Sequence, residues 1–108
     1  MMHKSDVRQS EKTIVHVDAE IKEIVPIFLE NRHKDIQSMV KALEQHDYEA
    51  VRILGHSMKG SGGGYGFDAI SDIGRWLEQA AKDKDSYRIR ELVSTLSEYL
   101  ECVEIIYE

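Results

Sequence analysis

The sequence predicts an all-α chain, an up-down-up-down antiparallel four-helix bundle with a short N-terminal helical extension. Two patterns carry the prediction. Four stretches place apolar residues at helical spacing, and the connections between them are short, which favours antiparallel neighbours. Composition agrees with both. A chain of 108 residues that is 42% hydrophobic and 31% charged, with one proline and few strand signals, suits one folded helical domain with a real core.

Residues 1–17 are polar with weak patterning and are expected to form a flexible tail with a short ordered end, so that the bundle domain spans 18–108. In the first long helix Val25, Leu29, Ile36, Met39, Val40 and Leu43 share one stripe. Pro26 is best tolerated in a first turn, so this helix should start just before it, with a short helical piece ahead. "QHDYEA" ends the helix, and Asp47 is placed to cap the next, with Glu49 near the positive end of its dipole. That second helix is expected to run to about Tyr65. Phe67 and Asp68 form a junction, after which Ile70, Ile73, Leu77, Ala80 and Ala81 mark a third stripe. "KDKD" closes it. Asp85 can cap a last helix in which Ile89, Val93, Leu96, Leu100, Val103 and Tyr107 alternate at spacings of four and three.

The net charge of −6, with no basic stripe, argues against nucleic acid or an anionic membrane as partner. Cys102 is alone, which rules out an internal disulfide, and its apolar surroundings suit a small core residue in a reducing cytoplasm. No stretch resembles a signal sequence or reaches membrane-spanning length.

The stretch "ILGHSMKGSGGGYGF", Ile53 to Phe67, holds six of the seven glycines around one histidine and one lysine. Glycine inside a helix costs about 1 kcal/mol relative to alanine, so the cluster needs a reason. At 100° per residue, Val51, Leu54, Gly55, Met58, Gly62 and Tyr65 gather on a core face, with His56, Lys59, Gly60 and Gly63 opposite. Gly64 and Arg52 lie at the margins of that second face, and Ile53 projects toward it. His56 therefore points to solvent beside a cation, and the glycines one and two turns on clear the way for another protein to reach it. A neutral imidazole is a good nitrogen nucleophile that can hold a phosphoryl group covalently, and the Lys59 ammonium could meet the phosphoryl oxygens. The chain has no nucleotide-binding motif and no acidic metal triad. Donor and Mg²⁺ are therefore expected on a partner, with no cofactor or metal bound here.

These residues resemble the histidine-containing phosphotransfer (HPt) domains of phosphorelays. The pattern reads His56, Ser57, Met58, Lys59, Gly60, then Gly63, Gly66 and Phe67, followed by "WLEQAAK" after the junction, over residues 18–108. The resemblance implies that His56 accepts a phosphoryl group from a receiver-domain aspartate and passes it to another receiver. It also implies that Lys59 stabilises the phosphohistidine, and that Gly60, Gly63, Gly64, Ile53 and Arg52 form the receiver docking surface. Response-regulator receiver domains, and a hybrid histidine kinase, are the implied partners of a monomeric carrier without kinase activity. The run Gly62, Gly63, Gly64 departs from the commoner pattern of serine, alanine or asparagine.

Other readings of the same residues fit less well. The P-loop order fails because Met58 precedes Lys59, and "GHSMK" lacks the last glycine of a hydrolase elbow. His3, His16, His33 and His46 show no zinc spacing. Met58, Tyr65, Phe67 and Trp76 read as packing. Ile24, Ile27 and Phe28 could extend an apolar docking patch beside Ile53. The competing class is a non-catalytic helical adaptor that docks a receiver or another signalling protein without being phosphorylated.

Overall fold

Pro26 sets the start of the first helix, because a first-turn N–H has no intrahelical partner to lose. The computed structural model describes residues 12–108. Its four helices are α1 (Val25–Glu44), α2 (Tyr48–Gly62), α3 (Asp68–Lys82) and α4 (Ser86–Cys102). Helices adjacent in the chain pack together, and α1 also packs on α4, enclosing a core that includes Met39, Met58, Phe67, Leu77, Ile89 and Leu96. Both expected aspartate caps form. The Asp47 carboxylate accepts the Ala50 N–H at 3.1 Å and the Asp85 carboxylate accepts the Arg88 N–H at 3.0 Å.

The chain is not all-α. Thr13–Val17 is a strand, β1, pairing in parallel with a second strand, β2 (Val103–Tyr107), in the register Thr13↔Val103 to Val17↔Tyr107. Thus α4 ends at Cys102, and Val103 and Tyr107 leave the helical stripe expected for them. Their spacing with Ile105 also has a period of two, and the β-branched Val103, Ile105 and Ile106 favour a strand once a partner strand is at hand. In the expected tail, residues 1–17, the ordered end is this strand. Val17 is buried and Val15 packs on the core, so the folded body begins ahead of residue 18, while residues 1–11 lie outside the described residues. Between β1 and α1 lies a 3₁₀ turn, Ala19–Ile21. Two further residues depart from expectation: Val40 and Trp76 are both 44% exposed rather than packed inside.

The α2–α3 contact positions everything that follows. A Cβ on Gly55 would lie 2.8 Å from the Glu78 amide nitrogen and the Gly74 carbonyl oxygen, and one on Gly74 would lie 2.6 Å from the Lys59 amide nitrogen. Two helix backbones meet here with no side chain between them. At the far end a Cβ on Gly62 would lie 2.7 Å from the Ser71 amide nitrogen. The Ser71 hydroxyl enters the α2 ladder, accepting the Gly63 N–H at 2.7 Å and donating to the Lys59 carbonyl at 3.0 Å. This insertion ends the regular helix. One 3₁₀ turn (Gly63–Tyr65) follows, then Gly66 at φ 91°, where the Phe67 N–H reaches the Gly62 carbonyl and the Gly66 N–H reaches that of Gly63. Such a helix ending favours glycine in the left-handed position.

Replacing Gly74 with Ala should therefore destabilise the fold by about 1–3 kcal/mol, because the new methyl meets backbone that cannot yield. Gly64→Ala, whose Cβ would meet nothing within 4 Å, should be neutral or stabilising by up to about 1 kcal/mol. Urea denaturation of the two variants reads the contrast, and equal midpoints would contradict this account of the contact.

Candidate functional site

Helix α2 presents His56 outward, with its side chain 64% exposed, while Val51, Gly55, Met58 and Gly62 turn inward. Lys59, one turn on, is exposed on the same side, as are Gly60, Gly63 and Gly64. A Cβ on Gly60 or Gly64 would meet nothing within 4 Å, and one on Gly63 would have only ordinary contacts at 3.5 Å with Asp68 and Ser71. Among the described residues no packing requires these three glycines. Gly55 and Gly62, by contrast, lie under the α3 backbone.

The closeness of α3 brings up a residue the sequence reading did not single out. Glu78 is buried, and its carboxylate lies beneath the exposed pair. Oε2 is 3.0 Å from His56 Nδ1, Oε1 is 3.0 Å from Lys59 Nζ, and Lys82 Nζ stands 4.0 Å from Oε2. A signal existed in "GRWLEQAAK": Glu78 follows Gly74 by one turn and sits within the stripe of Leu77 and Ala81, where a charged residue calls for a partner. The hydrogen bond from Lys59 holds the Glu78 carboxyl below the usual glutamate range; burial opposes it, and the contact with His56 adds to it.

An ionised carboxylate only accepts, so His56 must donate through Nδ1–H, and the lone pair of the neutral ring lies on Nε2. The site thus combines an outward nitrogen nucleophile, a buried anion behind the ring, and an ammonium beside both.

Arg52, a turn before His56, lies half-buried and makes a two-point contact with Glu49. Ile53 is 54% exposed. Of the apolar residues at the start of α1, Ile24 and Ile27 are exposed, but Phe28 is buried, its ring 5.6 Å from Phe67 and 4.6 Å from Tyr65 with the Arg32 guanidinium above it. Ile24, Ile27 and Asn31 line a groove of about 380 Å³ with Ser57, Ser61 and Tyr65, beside His56. Cys102 is a half-buried free thiol. Among the described residues no helix is long and apolar enough to cross a membrane.

Because the folded Glu78 carboxyl titrates below its unfolded counterpart, the network stabilises the fold fully above the ordinary glutamate range and loses that contribution as pH falls through the folded value. Glu78→Gln should lower the melting temperature at neutral pH and flatten the acid limb of the melting profile, so that the two proteins converge at the acid end. Parallel curves would contradict the linkage.

Comparison with curated proteins and with solved structures gave no match. A family model described as Hpt domain matches residues 23–104, which includes all four helices. Domains of this kind are carriers in the histidine phosphotransfer of two-component phosphorelays, interact with receiver domains and histidine kinases, and are not nucleotide-binding kinases. With an outward histidine one turn from a lysine on the matched helices, the chain belongs to the Hpt domain family.

Proposed function

We propose that this chain is a phosphorelay intermediate with His56 as phosphoacceptor, taking the group from one receiver domain and passing it to another. The observation that carries the reading is the Nδ1 contact with Glu78, which leaves the Nε2 lone pair facing solvent. In the step, that lone pair attacks the phosphorus of an aspartyl phosphate. A P–N bond forms, the P–O bond to the aspartyl carboxylate breaks, and the aspartate leaves as its anion. No proton need depart. The ring keeps its Nδ1–H and becomes positively charged, and the Glu78 carboxylate at 3.0 Å stabilises that charge as it develops. Return transfer reverses each event.

Lys59 meets the phosphoryl oxygens as a flexible point charge. Gly60, Gly63 and Gly64 give the incoming domain access, an assignment supported by the open space above Gly60 and Gly64 and by the merely ordinary contacts a Cβ on Gly63 would make. Ile53, Arg52 and the groove at Ile24 and Ile27 form the docking surface, the groove receiving an apolar surface of the receiver. The Mg²⁺ that assists transfer resides on the receiver, and this chain brings neither metal nor nucleotide. The helices run up-down-up-down, a reading supported by three-residue connections at 45–47 and 83–85. The carrier works inside the cell as a monomer.

Incubation with a phosphorylated receiver tests the reading. Wild type should gain an acid-labile, base-stable phosphate, and His56→Gln should gain none while melting within a few degrees of wild type, since exposed side chains contribute little to stability. An adaptor would bind the receiver and remain unlabelled.

Gly63→Gln separates access from stability. Gly63 has helical φ −64° and ψ −31°, so a side chain there should raise stability by several tenths of a kcal/mol to about 1. The same side chain stands in the path of the receiver. We expect an equal or higher melting temperature with transfer reduced at least about tenfold, equivalent to about 1.4 kcal/mol; normal transfer would refute the access argument.

A further inference from the structure

We propose that Lys82 is the reserve counter-ion of Glu78, taking over its carboxylate when Lys59 turns to a phosphoryl group on His56. The proposal rests on the reading of His56 as phosphoacceptor. Its starting point is that Lys59 has two anions to serve. In the free protein it holds Glu78 Oε1 at 3.0 Å. Once the imidazole carries a phosphoryl group, about two negative charges arrive beside the same ammonium, and their oxygens outbid a single carboxylate.

Glu78 cannot be left alone. Its side chain is only 10% exposed, and with Lys59 turned to the phosphoryl group its one remaining close cation is the phosphorylated ring, so the site as a whole carries one uncompensated negative charge beside a buried carboxylate, which favours proton uptake by Glu78. Protonation would weaken the hydrogen bond that holds Nδ1–H and the charge of the phosphorylated ring. Lys82 answers this need. It follows Glu78 by four residues on α3, with the acid N-terminal to the base, the more favourable order on a helix. Its ammonium waits at 4.0 Å from Oε2, about 1 Å outside hydrogen-bond distance, on a stem that is half exposed and free to close. No other carboxylate lies within 4.0 Å of it among the described residues. Arg52, whose charge also acts on Glu78 from α2, is held in a two-point contact with Glu49, so Lys82 is the cation with a free stem placed to move in. Lys82 then acts as a positioning residue, through Glu78, and does not touch the phosphoryl group.

The expected pattern is silence in the resting protein and an effect when Lys59 is engaged or absent. Lys82→Gln should leave the melting temperature and the NMR shifts of the unphosphorylated His56 ring close to wild type. The lifetime of the phosphohistidine should shorten by about two- to fivefold, the scale of a partly exposed ion pair, and Lys82→Arg should restore it. A second measurement needs no phosphorylation. The ¹³C titration of the Glu78 carboxyl is compared in Lys59→Gln and in Lys59→Gln/Lys82→Gln, where loss of the reserve cation should move the midpoint upward. Equal phosphohistidine lifetimes in wild type and Lys82→Gln overturn the proposal, and so does a Glu78 titration that Lys82→Gln leaves in place. Absence of any label on wild-type His56 would instead count against the phosphoacceptor reading, with the titration still deciding whether Lys82 reaches Glu78.

Discussion

The backbone contact between α2 and α3 is the constraint on which the rest of the molecule depends. With Gly55 facing Gly74, no side chain separates the two helices, and the Cβ positions at both glycines fall inside van der Waals contact with opposing backbone. Glu78 is one turn beyond Gly74, so its short side chain reaches through to the outer face of α2 and meets His56 and Lys59. Helices held apart by ordinary side chains lie 8–10 Å between axes, and a glutamate would then have to extend across the gap at the expense of hydrogen-bond geometry. Ser71 fixes the other end of the same contact, since its hydroxyl is shared between the Lys59 carbonyl and the Gly63 amide. The peptide that carries Lys59 is thus held from α3 as well as within its own helix.

This geometry gives one carboxylate two tasks that favour the same protonation state. As an acceptor from Nδ1–H, Glu78 selects the tautomer with a free Nε2, and as an anion it favours positive charge on the ring. Both require it to be ionised despite burial, and Lys59 provides for that in the resting protein, with the direction of the Glu78 pKa following from its hydrogen bond. A lysine suits that position better than an arginine would. Its compact ammonium and rotatable stem can exchange one anion for another, whereas a guanidinium fixed in a two-point grip, as Arg52 is on Glu49, is committed to a single partner.

Much of the fold was legible because local chemistry decides it. Pro26, Asp47 and Asp85 act within one turn of themselves, and the stripes of α2 and α3 follow from helical period alone, so the starts of these elements stand where the sequence reading put them, whereas α2 ends at Gly62 rather than about Tyr65 because Ser71 of α3 enters its ladder. The strand pair was hidden for the opposite reason. Thr13–Val17 and Val103–Tyr107 are about ninety residues apart, neither is a persuasive strand by itself, and the apolar positions of the second fit a helix as well as a strand until its partner is known. At the site, the exposure of His56 and Lys59 follows from period. Glu78 does not, because a glutamate in a buried stripe has meaning only when the opposing helix face is known. Trp76 shows the same limit from the other side: its size suggested packing, yet its position on α3 leaves it 44% exposed in a shallow groove shared with Asp85 and Arg88.

The glycine-rich stretch shows how one residue type can meet three separate demands. Gly55 and Gly62 are needed where backbone meets backbone, and Gly66 where the chain turns at positive φ. Gly60, Gly63 and Gly64 meet neither demand, and each weakens the helix or turn it occupies through the conformational freedom it loses on folding. The two kinds lie on opposite sides of the same segment, so the tight seating of the inner face on α3 offsets what the bare outer face loses. That division explains how a segment with five glycines between Gly60 and Gly66 still ends as an ordered turn capped by Phe67, and it leaves the space around His56 open without loosening the contact that orients its ring.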